Sequence, residues 1–74
     1  MMMEERRITH TERILLLLAE THCLTLSELQ QKTQINRKTL LVYLHRMMKR
    51  KLISSRWVAV DGKRERLYCL EVKV

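Results

Sequence analysis

The 74-residue chain has no proline, one glycine and three aromatic residues, and its longest apolar run, from Ile14 to Ala19, is six residues. Without Pro- or Gly-rich stretches there is no linker or low-complexity segment. A content of 46% hydrophobic and 31% charged residues fits a folded domain and not a disordered tail. Six apolar residues are far too few to cross a bilayer, and no signal-peptide pattern precedes them, so a soluble, intracellular protein is expected. Two cysteines and three histidines occur without CxxC or HxxxH spacing, which gives no metal signature. There is no Gly-rich phosphate loop, no nucleophile beside a base at a telling spacing and no carboxylate pair in an apolar setting. A non-enzyme without a cofactor is expected.

The most informative absence is of acid. The stretch QINRKTLLVYLHRMMKRK, residues 34–51, has seven cationic side chains, His45 included, and neither Asp nor Glu. The whole chain has a net charge of +7, unevenly placed. Residues 1–31 hold three bases and five acids, whereas residues 32–74 hold twelve bases and three acids. The first part reads as scaffold and the second as a cationic surface suited to a polyanion, because each Lys or Arg that neutralises a phosphate releases condensed counterions. A chain this short makes one domain with a small buried fraction, so a dimer or a crosslink is expected to support it.

Thr9 with Glu12 three residues later predicts a capped first helix, with Ile14, Leu17, Leu18 and Thr21 on its core face. Residues 1–8 before it read as a frayed segment, the triple Met as an ambiguity of the start site. Leu15 and Leu16 point away from that core face, which predicts a partner for the helix's second side. Cys23 to Thr25 is extended in character, and Ser27 with Gln30 predicts a second cap opening a brief helix over 28–33. Asn36 is a good N-cap for a third helix over 37–51. From Trp57 the pattern alternates with period two around Asp61-Gly62, the strongest short-range hairpin signal.

On a helical wheel Leu40, Leu44 and Met47 of the third helix fall within about 60° of one another as a core stripe. Lys38, Val42, His45 and Lys49 gather opposite, flanked by Thr39 and Arg46. A solvated basic face is the plainer reading, but such faces mix signs and this one does not. Arg and Lys suit guanine, Asn suits adenine, and Val42 or the Thr39 methyl suits the thymine methyl.

The segment LTLSELQQKTQINRKTLLVYLHRMMKRKLI followed by VDGKRERLYCL resembles the winged helix-turn-helix family of DNA-binding transcription regulators, over about residues 9–72. The resemblance implies an α+β domain over 9–74: three helices, a short strand after the first and a C-terminal hairpin wing. It places Asn36, Arg37, Lys38, Leu41, Val42, His45 and Arg46 in or beside the major groove of duplex DNA, and Lys63, Arg64 and Arg66 of a basic wing over 61–66 on the backbone or minor groove. Where the family usually has Gly at the end of the third helix, this chain has Lys51, so either Lys51 adopts a left-handed conformation or the helix ends differently. The same resemblance implies that Cys23 and Cys69 are neighbours, as a disulfide of the kind found inside hyperthermophiles or as two buried thiols. Small stand-alone proteins of this type resemble those of archaeal viruses and plasmids.

The function expected is a sequence-specific double-stranded DNA-binding regulator, nucleoid-associated and dimeric through Leu15, Leu16 and Met48 on a two-fold related site. The rival reading is an interaction module of the same fold, its apolar surface docking a protein partner. RNA binding is weaker, because the chain lacks an aromatic platform for single strands. Trp57 reads as a core or dimer-edge residue.

Overall fold

The computed structural model describes residues 8–71; residues 1–7, most of the expected frayed segment, and residues 72–74 lie outside the described residues. The described chain runs as α1 (His10–Thr21), β1 (Cys23–Thr25), α2 (Leu26–Thr33), α3 (Arg37–Lys49), β2 (Ile53–Val60) and β3 (Lys63–Leu70). This is an α+β fold of three helices and one antiparallel sheet in the order β1-β3-β2.

Helix α1 starts where the Thr9 box predicts: the Glu12 amide donates to the Thr9 hydroxyl at 3.1 Å, and the Thr9 amide donates back to the Glu12 carboxylate at 3.0 Å. Ile14 and Leu18 are fully buried, whereas Leu17 is half-buried and Thr21 is exposed, so the core stripe is narrower than the sequence pattern predicts. Helix α2 corrects the expected cap. Its box is Thr25 with Glu28, not Ser27 with Gln30, and the helix begins at Leu26. The Glu28 carboxylate accepts from the Thr25 amide at 2.8 Å, a charge-assisted bond that the neutral Gln30 amide does not match. The earlier start also puts Leu26 and Leu29 on one buried face, three residues apart.

A three-residue turn joins α2 to α3. Gln34 takes a left-handed φ of 60°, and the buried Thr33 hydroxyl donates to the Leu29 carbonyl at 2.6 Å while accepting from the Ile35 amide at 3.2 Å. Arg13 of α1 reaches across to donate to the Thr33 carbonyl at 3.1 Å, fixing the end of α2. Asn36 then caps α3, its side chain accepting from the Lys38 amide at 2.8 Å. Leu40, Leu44 and Met47 of α3 enter the core with Ile14, Leu18, Leu24, Leu29, Ile53 and Tyr68.

Helix α3 ends at Lys49, two residues before the expected limit at 51. Lys51 has φ 62°. Its amide donates to the Met48 carbonyl at 2.9 Å and the Leu52 amide to the Met47 carbonyl at 3.0 Å. These two bonds are a Schellman ending with Lys at the position that favours Gly. The geometry thus resolves the alternative in favour of a left-handed Lys51. Lys51→Gly relieves the Cβ crowding of about 1–2 kcal/mol, less about 0.5–1 kcal/mol of added backbone entropy in the unfolded chain. The expected result is a gain of about 0.5–1 kcal/mol in a denaturant melt, with no change in fold.

Asp61 and Gly62 both have positive φ, 51° and 79°, as a two-residue hairpin turn of mirror type requires. The turn sets the register Val60↔Lys63, Trp57↔Arg66 and Ser55↔Tyr68. Strand β1 pairs with the other edge of β3, so Cys23 lies directly opposite Cys69, and the two are joined by a disulfide.

Candidate functional site

The residues expected to read DNA from the third helix occupy its front and both flanks, and none of them is buried. Asn36, Arg37, Lys38, Thr39, Val42, His45, Arg46 and Lys49 are exposed and Leu41 is half-buried, against the buried Leu40, Leu44 and Met47 on the reverse. Val42 is 48% exposed in the middle of this cationic face, an apolar spot with no packing role. Lys63 and Arg64 at the hairpin tip are exposed, and Arg66 is half-buried.

Strand alternation explains what surrounds Arg64 and Arg66. Ile53 and Tyr68 lie on the core face of the hairpin, and the same face continues outward past the core through Trp57 and Arg66, then Ala59 and Arg64. Trp57 therefore points the way Tyr68 does but finds no core to enter. It is 55% exposed, so of the two expected places, core or dimer edge, the single chain excludes the core. The Cζ atoms of Arg64 and Arg66 each lie 4.9 Å from its ring centre, as cation-π contacts. A cleft of about 320 Å³ opens between this face and the starts of α2 and α3, lined by Ser27, Arg37, Trp57, Arg64, Glu65 and Arg66 among others.

Glu65 fastens the hairpin to α2. Its carboxylate accepts from the Ser27 amide at 3.3 Å, one of the amides that a helix start leaves without an intrahelical partner. Hydrogen bonds from the Ser27 side chain and backbone, helped by Thr25 and the charge of Arg37, hold the Glu65 carboxyl below its ordinary value against a smaller opposing effect of desolvation. A carboxyl lowered by folding stabilises the protein above its unfolded value, and that contribution fades as pH falls through the lowered folded value. The wild type is expected to melt above Glu65→Gln at neutral pH, and the gap between the two closes as the pH falls into the acid range.

On the other flank of α3, the Arg46 Cζ lies 5.8 Å from the Tyr43 ring centre, and the His10 ring meets Tyr43 edge-on at 5.1 Å. Thr11, Tyr43, Arg46, Lys49 and Arg50 line a second cleft of about 340 Å³. Neither Trp57 nor Tyr43 is among the sequence-derived site residues. The signal for Trp57 was the two-residue turn itself, since counting back from Asp61-Gly62 places Trp57 opposite Arg66.

Leu15 and Leu16 line an apolar groove of about 740 Å³ with Ile8, Ala19, Leu52 and Leu70. Met48, expected on the same surface, is not part of the groove and packs half-buried against the core. Among the described residues no group of three or more His, Cys, Asp or Glu could hold a metal ion, and no helix is long and apolar enough to cross a membrane.

A small basic α+β domain with one cationic helix face belongs, by its sequence, to a class of regulators: the chain is a member of the Sulfolobus plasmid regulatory protein family, whose model matches residues 5–73. Among solved structures it is similar to Stf76 from the Sulfolobus islandicus plasmid-virus pSSVx, with 38% sequence identity and a TM-score of 0.81 over 88% of this chain and 84% of that one. No curated protein matches the chain. Family and neighbour together make this a small regulator of the archaeal plasmid and virus type.

Proposed function

We propose that the chain is a winged helix-turn-helix regulator that binds double-stranded DNA sequence-specifically and is not an enzyme. Helix α3 enters the major groove and the β2–β3 hairpin serves as the wing. The observation that supports this most is the division of α3 into a buried apolar back and a wholly exposed front bearing Arg37, Lys38, His45, Arg46 and Lys49 with no acid. Arg and Lys on such a front reach guanine edges and phosphates, and the exposed Val42 has a use there against a thymine methyl. Membership of a plasmid regulatory family supports the same reading. Amide shifts on addition of a duplex from the source replicon test it. Shifts concentrated in 36–49 and 61–66 are the expected result, and shifts confined to the Leu15–Leu16 groove would favour the interaction-module reading.

A second copy of the chain is the proposed occupant of that groove. None of its lining residues belongs to the α3 front or the hairpin tip, so two copies joined there keep both cationic surfaces open for two half-sites. Light scattering at micromolar concentration, with and without duplex, is expected to show the dimer; a monomer under both conditions removes it.

A further inference from the structure

The two clefts beside α3 share a composition that solubility does not require. Each has an aromatic floor and three cationic side chains: Trp57 with Arg37, Arg64 and Arg66 on one flank, Tyr43 with Arg46, Lys49 and Arg50 on the other. The second cleft is lined by no acid, and the one acid lining the first, Glu65, has its carboxylate turned to the Ser27 amide. On the helical wheel Arg37 and Leu41 fall at about 60–100° from the core stripe and Arg46, Tyr43 and Arg50 at about 240–300°, with Lys38, Val42, His45 and Lys49 between them. A helix in the major groove has one phosphodiester backbone on each side of it.

We propose that the two clefts are phosphodiester sites, one for each DNA strand bordering α3, and that Trp57 and Tyr43 are positioning residues that hold arginine guanidiniums against their rings. The proposal rests on the duplex-binding reading and adds to it residues outside the cationic set. A guanidinium already held over a ring loses less rotamer freedom when its N–H donors meet a phosphate. Lysine supplies the same charge without the planar face. Trp57 therefore sets affinity through Arg64 and Arg66, while base discrimination stays with the α3 front.

Trp57 is the sole tryptophan, so its emission reports on the first cleft directly. The test uses the full chain and a labelled duplex that the wild type binds, with Trp57→Ala and the charge-conserving pair Arg64→Lys/Arg66→Lys. Trp57→Ala is expected to weaken binding about fivefold or more, because two guanidiniums no longer held in place must be ordered on binding, and equally for every duplex sequence. The salt slope should stay at the wild-type value, because no charge is removed. The lysine pair should lose affinity to a similar extent at the same slope. Saturating duplex should also protect wild-type Trp57 from acrylamide quenching. Wild-type affinity in both variants, or unchanged quenching in the presence of bound duplex, overturns the clefts while leaving DNA binding intact. A wild type that binds no duplex overturns both. Trp57 is more than half exposed, so its truncation leaves the core in place, and the lysine pair keeps the test decisive if it does not.

Discussion

Lys38→Ala combined with Arg46→Ala is expected to weaken duplex binding about 100-fold or more near 0.1 M salt while leaving the melting temperature within a few degrees of wild type. Both side chains are exposed and project from the α3 front, away from Leu40, Leu44 and Met47. Among protein groups Arg46 meets the Tyr43 ring at 5.8 Å, a contact of modest worth at an exposed site. Each contact to a base edge or phosphate contributes about 1–3 kcal/mol, so two of them account for a loss of that size. The control is Leu16→Ser, in the apolar groove. Leu16 is 57% exposed, and its substitution should shift self-association and leave the intrinsic affinity of one domain for a half-site unchanged. Anisotropy and circular dichroism on the same samples separate the outcomes. Equal binding by the double variant and the wild type contradicts the assignment of α3.

Removing the Cys23–Cys69 disulfide should cost about 4 kcal/mol, by substitution of both cysteines with serine. The bond closes a loop with a sequence separation of 46, and its chief effect is to restrict the unfolded chain. It also joins β1, which has only three residues, to the last strand of the hairpin, and so ties the start of α2 to the sheet. A domain of this size has a total stability of roughly 4–11 kcal/mol, so the loss is a large share of it. A fall in melting temperature on the order of 15–30 °C is expected, read by circular dichroism with and without reductant. Reductant should lower the wild type toward the serine variant and leave the variant itself unmoved. Coincident melts of reduced and oxidised wild type contradict a stabilising crosslink.

Local signals in the sequence were sufficient wherever the structure answers to local chemistry. Thr9 with Glu12, Asn36 before a periodic run, and Asp61-Gly62 between alternating strands each act within a few residues, and each sits where expected. The second helix was misplaced because two capping patterns overlap within 25–30, and the choice between them depends on burial of Leu26 and on Glu65, which is 38 residues away from Ser27. Lys51 kept a left-handed ending without Gly because the Schellman bonds and the burial of Ile53 beyond it outweigh the local strain. Trp57 lies outside the core for a different reason. Alternation tells which face a strand residue occupies, but not how far along that face the core extends, and the hairpin outruns the core from the Ser55–Tyr68 pair toward its tip. The cationic front of α3 was legible in full, because period and charge there depend on neither register nor tertiary partners.

The most direct measurement is fluorescence anisotropy of labelled duplexes, fragments from upstream regions of the source replicon against a random-sequence pool, titrated across a range of salt. Sequence-specific binding through α3 and the hairpin predicts one fragment bound far more tightly than the pool. The six cations lining the two clefts predict a log-log salt slope of about −4 to −6, near −0.9 for each phosphate contacted. Weak binding, equal for every fragment and for the pool, would contradict a sequence-reading role for α3.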